Sequence, residues 1–449
     1  MRVMIILLFV GLTAILFKES RKKIWYLLAY YLAIGFYLAI SYFHSKGFTT
    51  LLPDLSYSVV NEATTLLKLC MPFSILFIFK YLPIEKEEFF KVIFCWVVLI
   101  AGSIVVCNLV GYSLSSYTDE ITKYSIFSWG RGLSVTDIAT KGFFTYANQI
   151  SNVLSVLLVV MFYEVIIDKR KIGVISLVLI ALSCLMLGTR LSTYGGAIIL
   201  GGFVVIYLGY ALLLKKKISR WILFPIILSI GWTILLPIAP CNSRMQEIKN
   251  AKTGEQSEES MTNDREDVRT MEEVDERLVY IENNINKATI GKQFYMDYYP
   301  YMYDMNFWKD IVEKQKQGDY IDYRKMEMLI ADRLFEIDDR KADIFWGISN
   351  VRMQKVTNIE RDFVLHYYTF GIVGSILSLS FYIFMLVVLI KMNICEFSFW
   401  NISLLGILVI FVFGSFMTGN SLNFLATTVP FSYVVCAGKK IFVAGNRHS

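Results

Sequence analysis

The stretch from Ile172 to Leu214 reads IGVISLVLIALSCLMLGTRLSTYGGAIILGGFVVIYLGYALLL and decides the fold. Its one charged residue is Arg190. As a single α-helix, its roughly 43 residues would extend about 65 Å at ~1.5 Å per residue. The hydrocarbon core of a bilayer is only about 30 Å thick, so the stretch must form two membrane spans joined by a turn. The turn is predicted at Gly188 to Ser192, which places Arg190 at a membrane face.

Composition places the whole chain in the membrane-protein class. Of its 449 residues, 55% are hydrophobic, and the mean hydropathy is +0.52. Several apolar runs of ~20 residues follow one another, which predicts an all-α polytopic membrane protein. The net charge of +6 is concentrated in short clusters beside these runs, so it indicates orientation in the membrane and not nucleic-acid binding. No CxxC pair occurs among the seven cysteines, which predicts neither a disulfide framework nor a zinc site.

About eleven spans are predicted, and a count from about ten to about twelve fits the pattern. The first apolar run is followed by Lys and Arg where a signal peptide would have small residues, so it is predicted to be a retained span. The predicted ranges are 3–17, 24–43, 57–82, 90–112, 147–167, 172–188, 191–214, 221–239, 367–390, 399–419 and 421–437.

Positive residues follow alternate spans, and this pattern predicts the orientation. Because the spans alternate in direction, all of these clusters fall on the same side of the membrane, which the positive-inside rule makes the cytoplasm. The clusters are Lys18 with Arg21–Lys23, Lys80 with Lys86 and Lys91, Lys169–Lys171, Lys215–Lys217 with Arg220, Lys391, and Lys439–Lys440 with Arg447.

This orientation directs the Arg190 turn and two long polar segments outward. The predicted organisation is an N-terminal transmembrane bundle of about eight spans at 1–239 (with an outer segment at 113–146), an extracytoplasmic loop at 240–366, and C-terminal transmembrane helices with a cytoplasmic tail at 367–449. The loop is predicted to be mostly helical. One amphipathic helix is predicted from Tyr323 to Arg340, and its apolar face contains Met326, Leu329, Ile330, Leu334 and Ile337.

Arg190 is the first candidate functional residue. A guanidinium group is permanently charged and matches the geometry of a phosphate through two parallel hydrogen bonds. The alternative is an interfacial arginine that extends to the headgroups or pairs with a loop carboxylate. Two apolar helices that close directly on an arginine are unusual, which favours the functional interpretation.

Glu360, Asp362 and His366 form a second candidate group, where the outer loop enters the ninth span. On a helix, Asp362 and His366 would share a face, and a carboxylate beside an imidazole is a workable proton acceptor at neutral pH. The alternative is a polar helix entry, with acidic side chains near the positive end of the helix. For the group as a whole, the functional interpretation is favoured.

Two further positions are less distinctive by spacing. Arg333 is a charge on the polar side of the amphipathic helix, and Asn148 begins the fifth span in a way that a polar helix start also explains.

No Walker loop, HExxH, GxSxG or zinc spacing occurs, and three histidines are too few for a histidine-rich metal site. Acidic residues do not lie deep in consecutive spans, so the ion pathway of a secondary transporter has little support.

Taken together, these stretches resemble the O-antigen ligase and polysaccharide polymerase superfamily of bacterial envelope proteins. The resemblance covers roughly the fifth to the tenth span. The matching features are a Gly-Phe-Phe and Asn entry at 142–148, the Gly-Thr-Arg turn at 188–190, Arg333 followed by Phe-x-Gly-Ile at 345–348, and Glu-x-Asp-Phe leading to Tyr-x-Phe-Gly-Ile-Val-Gly at 360–374.

The resemblance implies a metal-independent, inverting glycosyltransferase with a GT-C-like transmembrane bundle and no cofactor. Its donor would be an undecaprenyl-diphosphate-linked glycan. Arg190 and Arg333 would hold the diphosphate, Asn148 would lie on the substrate side, and Glu360, Asp362 or His366 would activate the acceptor hydroxyl. Its partners would be the glycan acceptor, membrane lipids, and a flippase and chain-length regulator of the same pathway. Nucleic acid is not an expected partner.

One departure from the family pattern concerns the base. In ligases a histidine often stands where Glu360 and Asp362 lie here, whereas the Glu-x-Asp form is more similar to repeat-unit polymerases of capsule or exopolysaccharide.

The predicted function is therefore polymerisation of lipid-linked repeat units of capsule, exopolysaccharide or O-antigen type, at the outer face of a bacterial plasma membrane. A ligase that transfers the glycan to another acceptor fits the same residues. A lipid-linked oligosaccharide flippase would need a cationic cavity, and few positive residues lie within the spans.

Overall fold

The computed structural model describes residues 1–53, 55–253, 275–285, 290–316, 321–356, 359–419 and 421–445. Much of the predicted acidic part of the loop, 254–274, lies outside these ranges. Within them the chain is helical, and its pairing of extended backbone is confined to two isolated antiparallel bridges, Leu114 with Ile121 and Ser115 with Thr140. The all-α class predicted from the sequence is confirmed.

Each predicted span corresponds to a helix, because each apolar run is long enough to satisfy its own backbone hydrogen bonds in lipid. The helices of the predicted spans before the loop are α1 Arg2–Leu16, α2 Lys18–Ser45, α3 Val59–Tyr81, α4 Lys86–Val110, α5 Ala147–Asp168, α6 Lys171–Leu187, α7 Leu191–Leu213 and α8 Leu223–Leu235. The loop contains α9 Pro240–Thr253, α10 Glu276–Ile285, α11 Met305–Lys316, α12 Tyr323–Asp338, α13 Asp343–Trp346 and α14 Asn350–Val356. The C-terminal helices are α15 Asp362–Cys395, α16 Phe399–Thr418 and α17 Leu425–Gly445.

Eight helices in the described ranges are long and apolar enough to cross a membrane, judged by length and composition. Two more apolar helices, α1 and α6, are shorter than this criterion. The positions of the predicted spans therefore agree with the helices, while the count of about eleven crossings stays a prediction.

The chain divides into two compact units. Unit one comprises Met1–Leu27, Lys68–Ser257 and Ser380–Ser449, and unit two comprises Leu28–Leu67 and Glu258–Leu379. In unit one, α5 is buried along almost its whole length and packs against α6, α7, α16 and α17. A helix that is apolar on every side belongs in such a central position.

Unit two has its own hydrophobic core, built from loop helices together with residues from both ends of the unit. The apolar positions predicted for the amphipathic helix face this core in α12, which confirms that prediction. Each large apolar side chain that is fully buried contributes about 1.5–3 kcal/mol of burial free energy. The largest core members include Phe294, Tyr299, Trp308, Met326, Ile330, Leu334, Ile348, Met353, Ile359 and Tyr368.

A buried ion network joins the end of α2 to the loop within unit two. The Nε2 atom of His44 lies 2.5 Å from an Asp343 carboxylate oxygen. The guanidinium of Arg340 contacts Asp338 at 2.7 Å and Asp343 at 3.4 Å, and it also donates to the His44 carbonyl at 2.9 Å. The last turn of α2 is thus held by side chains of the loop.

Helix α15 is interrupted at Gly371, where the backbone has a φ of +61° and a ψ of −170°. The carbonyl groups before the break find other partners. The N–H groups of Ile348 and Ser349 donate to the carbonyls of Tyr368 at 3.0 Å and Thr369 at 3.1 Å. A helix can be broken near a membrane when the freed backbone groups are satisfied in this way by neighbouring protein.

All seven cysteines are free thiols in the structure. Cys95 and Cys395 are exposed, and the other cysteines are buried. Cys241, at the start of the outer loop, is only 1% exposed.

Candidate functional site

The turn between α6 and α7 lies where the sequence predicted it. Helix α6 ends at Leu187, and Gly188 adopts a left-handed conformation with a φ of +66°. A side chain at Gly188 would also lie 2.9 Å from the Pro240 side chain and 3.0 Å from that of Ala139. Glycine is therefore required here for both its backbone conformation and its small volume.

Hydrogen bonds hold this turn from two sides. The Tyr117 hydroxyl donates to the Gly188 carbonyl at 2.6 Å. The Thr189 hydroxyl lies 2.7 Å from that of Ser151 in α5 and 2.8 Å from that of Ser192, and it accepts the Ser192 N–H at 3.1 Å. The α7 segment that follows begins with a π-helical turn, a feature found often at functional sites. The backbone around Arg190 is thus fixed by buried polar groups.

Two arginines lie near the same tyrosine hydroxyl in unit one. Arg190 is exposed, and the Arg244 guanidinium lies over the Tyr117 ring at 3.9 Å from its centre. Burial raises the pKa of the Tyr117 phenol above its usual value, and the charges of Arg244 and Arg190 oppose that rise. Among the described residues, neither guanidinium has a carboxylate within ion-pair distance. Within the described ranges, both positive charges are therefore free of a carboxylate that an anion would have to displace.

Sequence reasoning missed Arg244. It lies four residues after Pro240, at the start of the outward segment and two helices, α7 and α8, beyond the Arg190 turn. The predicted topology places the start of that segment at the same membrane face as the turn. The sequence could have identified Arg244 as a second arginine at the membrane face that carries Arg190.

Asn148 lies in the first turn of α5. Its side-chain amide donates to the carbonyl of Thr418, near the end of α16, at 3.4 Å. One turn further along α5, Ser151 contacts Thr189. Asn148 and Arg190 are thus brought to the same end of unit one, and the role of Asn148 in substrate binding stays a prediction.

Arg333, in α12, is engaged by carboxylates. Its guanidinium contacts the buried Asp304 at 2.7 and 3.4 Å and Glu336 at 3.3 Å. The hydrogen bond with Asp304 raises the pKa of this guanidinium, and Asp304 also accepts the Tyr299 hydroxyl at 3.0 Å. In this arrangement Arg333 stabilises unit two, and its predicted contact with a diphosphate stays a prediction.

Glu360 lies immediately before α15, with about a third of its side chain exposed. Arg324, in α12, binds one Glu360 carboxylate oxygen through Nε at 3.4 Å and Nη2 at 3.2 Å. The contact fixes the position of the carboxylate and still leaves it accessible to solvent. Of the predicted base candidates, Glu360 is the one with an exposed carboxylate.

Asp362 and His366 lie one turn apart at the start of α15, and both are completely buried. The His366 Nδ1 atom is 3.1 Å from the Ser378 hydroxyl, beyond the helix break, and its ring packs edge-on against Phe370. The predicted shared position on one helix turn agrees with the structure. Both side chains are therefore closed to solvent, whereas Glu360 is partly exposed.

The two glycine-containing stretches of the family pattern contact each other through their backbones. A Cβ atom on Gly347 would lie 2.3 Å from the Thr369 carbonyl oxygen, and one on Gly371 would lie 2.4 Å from the Phe345 backbone. The Tyr37 hydroxyl, from α2, donates to the Phe370 carbonyl at 2.7 Å. These glycines are therefore explained by packing that supports the start of α15.

Glu327 is a second residue that sequence reasoning missed. It lies on the apolar stripe of α12 with Ile330, Ala331 and Leu334, and it is 1% exposed. A carboxylate at an apolar helical position was a visible signal, since unpaired carboxylates are rarely buried.

The predicted site residues thus form two sets. Arg190 and Asn148 belong to unit one, whereas Arg333, Glu360, Asp362 and His366 belong to unit two. In the described part of the chain, no group of three or more His, Cys, Asp or Glu side chains is arranged to hold a metal ion.

Comparison with known proteins identifies the family. The family model described as O-antigen ligase like membrane protein matches residues 1–443, which is almost the whole chain. The chain belongs to this family. O-antigen ligase like proteins are membrane enzymes of the glycosyl-transfer type, which act on lipid-linked glycans among membrane lipids. No curated protein and no solved structure matches the chain.

Proposed function

We propose that this O-antigen ligase like protein joins oligosaccharide repeat units carried on undecaprenyl diphosphate, at the outer face of a bacterial plasma membrane. The acceptor hydroxyl attacks the sugar carbon that bears the diphosphate and inverts its configuration. The bond to the diphosphate oxygen breaks, and undecaprenyl diphosphate leaves. No metal ion takes part, so protein side chains must balance the charge of the leaving group.

The observation that carries the proposal is the pair of guanidinium groups beside Tyr117. Arg190 and Arg244 lack carboxylate partners among the described residues, and the turn that carries Arg190 is fixed by buried hydrogen bonds. Two guanidinium groups near the same tyrosine suit a diphosphate, since each offers several fixed N–H donors to phosphate oxygens. We assign Arg244 to the donor site beside Arg190, and Arg333 stays a candidate from the family resemblance.

Activation of the acceptor requires a base. Glu360 is the first candidate, because its carboxylate is fixed by Arg324 and partly exposed. Asp362 and His366 follow it in the chain and would support it from the interior of the protein. A positioned acid–base group of this kind typically contributes about 10²–10⁴-fold in rate.

Charge distribution supports the orientation, because positive clusters follow alternate spans and leave the Arg190 turn and the loop outside. The choice of polymerase over ligase rests on the Glu-x-Asp pattern of Glu360 and Asp362. The two activities differ in the acceptor, which is another lipid-linked repeat for a polymerase.

The test uses purified full-length protein in liposomes with lipid-linked repeat units as the only glycan. The wild type should produce a ladder of products that grow by one repeat. Arg190→Ala and Arg244→Ala should each lower turnover roughly ten- to a hundredfold, since a lost charged hydrogen bond costs about 1.5–3 kcal/mol. Arg190→Lys should restore little, because lysine keeps the charge without the planar group.

Arg220→Ala is the matched control, because Arg220 is an exposed arginine of unit one on the predicted cytoplasmic side. Its ladder should equal that of the wild type. A single transfer to an added non-repeat acceptor, with no ladder, would indicate a ligase. Normal ladders from both Arg190→Ala and Arg244→Ala would remove the proposed donor site.

A further inference from the structure

Glu327 lies beneath Glu360 in unit two. One of its carboxyl oxygens, Oε2, accepts the backbone N–H of Glu360 at 3.4 Å. The other, Oε1, is buried and has no hydrogen-bond partner among the described residues. An ionised carboxylate without an ion-pair partner is costly to bury, so this arrangement suits a neutral carboxylic acid.

The charged and titratable neighbours of Glu327 come from several elements. Arg324 lies on the same helix, while Glu360 and Arg361 precede α15. Tyr323 lies one turn earlier in α12, and the charge of Glu327 contributes to a raised pKa of its phenol. The Arg324 guanidinium is directed at the Glu360 carboxylate, at 3.2 Å, and the charges of Arg324 and Arg361 only partly oppose the rise in the pKa of Glu327. Burial, and then the negative charge of Glu360, raise the pKa of Glu327 to about 8.

We propose that Glu327 is a positioning residue that, in its neutral form, holds the Glu360 backbone and leaves Arg324 to the Glu360 carboxylate. The inference rests on the proposed function, in which Glu360 activates the acceptor hydroxyl. Glu327 itself transfers no proton to the substrate. If it became ionised, it would repel Glu360 and compete for Arg324, so the base would lose its fixed position.

The sign of the pH dependence follows from this arrangement. Below about pH 8 Glu327 keeps its proton, and the Glu360 segment stays in place. Above that pH Glu327 becomes an anion next to a second carboxylate, so turnover should fall on the alkaline side. Replacement by glutamine preserves a neutral acceptor of nearly the same shape and removes the titration.

The experiment compares full-length wild type with Glu327→Gln and Glu327→Leu in liposomes, with lipid-linked repeat units, over a pH range that brackets the Glu327 pKa of about 8. Glu327→Gln should keep turnover near the wild-type level at neutral pH and lose the alkaline decline. Glu327→Leu, which cannot accept the Glu360 N–H, should lower kcat roughly tenfold, with little change in the KM for the donor. The melting temperature of each variant reports whether it is folded.

Glu313→Gln is the matched control, because Glu313 is a half-exposed glutamate of α11 that pairs with Lys309. It should leave the pH profile unchanged. A wild-type pH profile in Glu327→Gln, or full turnover in folded Glu327→Leu, would overturn this inference while the proposed function stands. A wild type that makes no glycan product under any condition would overturn the proposed function, and this inference with it.

Discussion

At the scale of single residues, the two arginines implied by the family pattern differ in what they contact. Arg190 is exposed without an ion pair among the described residues, whereas Arg333 lies between Asp304 and Glu336. A guanidinium can bind phosphate only with N–H donors that are free to do so. Arg333 would first have to release Asp304, which would leave a buried carboxylate without its cation. Arg190 is the more available of the two.

The hydroxyl of Thr189 should be needed to present Arg190 to the donor. Thr189→Val has nearly the same shape but loses the contacts with Ser151 and Ser192. We expect a cost of about 1–2 kcal/mol, seen as a roughly five- to thirtyfold fall in turnover at limiting donor. Steady-state assays over a range of donor concentrations measure this.

Thr189→Ser should behave like the wild type, since it keeps the hydroxyl. Thr233→Val serves as the control, because the Thr233 hydroxyl donates within its own helix, to the Ser229 carbonyl at 2.8 Å. Equal donor dependence in Thr189→Val and Thr233→Val would show that the hydroxyl contacts do not position Arg190.

Sequence reasoning at this scale identified residues with a distinctive setting and missed those defined by tertiary contacts. Arg190 stands alone between apolar helices, and that isolation is visible in the sequence. Arg244 is a candidate because its guanidinium lies over the Tyr117 ring, and Glu327 is a candidate because it accepts the backbone N–H of Glu360. Both contacts join residues far apart in the chain, so local spacing could not reveal them.

At the scale of elements, the break in α15 is coupled to the loop. Gly347 and Gly371 are in direct backbone contact with each other's segments, and both have positive φ angles. The sequence predicted a continuous span from 367, because its apolar residues extend without interruption past the glycine. Close approach of a second backbone decides the break, and hydropathy carries no information about such contact.

Gly371→Ala should therefore destabilise the protein strongly. The new methyl group would lie 2.4 Å from the Phe345 backbone, and alanine at a φ of +61° adds about 1–3 kcal/mol of strain. We expect a lower melting temperature in detergent and a reduced yield of monodisperse protein. Fluorescence-detected size exclusion during a temperature ramp measures both.

Gly201→Ala offers the comparison at a helical glycine of α7 with no atom within 4 Å of the added methyl. It should be neutral or slightly stabilising, because alanine favours a helix by ~1 kcal/mol over glycine. If the two variants melt at the same temperature, the backbone contact at Gly371 is not a constraint on the fold.

At the scale of the whole molecule, the helix positions could be predicted because long apolar runs have few alternatives in a bilayer. The core of unit two could not, because it combines residues near 52–55 with residues beyond 280. A short apolar face such as that of α12 indicates only that the helix packs against some other apolar segment. Which segments supply that partner depends on the tertiary fold.

The predicted orientation can be tested with single introduced cysteines. Glu313→Cys, in α11, should react with a membrane-impermeant thiol reagent in intact cells, whereas Lys216→Cys, after α7, should react only after permeabilisation. The reason is that Lys216 belongs to a positive cluster predicted to stay in the cytoplasm. Labelling is read by a mass shift on a gel. The reverse pattern would place the Arg190 turn and the loop on the cytoplasmic side.

The burial of Cys241 means that the native cysteines can supply the controls for background labelling in that experiment. It is the cysteine nearest the start of the predicted outer loop, and its thiol is shielded from an added reagent. Cys395, in contrast, is exposed in a connection predicted to face the cytoplasm, and the other exposed cysteine, Cys95, lies within the α4 span, where lipid would shield it from a water-soluble reagent. Intact cells should thus give almost no background, while permeabilised cells should give a signal from Cys395 that reports reagent entry. A second label added to that of Cys395 after permeabilisation then reports Lys216→Cys, and a label in intact cells reports Glu313→Cys.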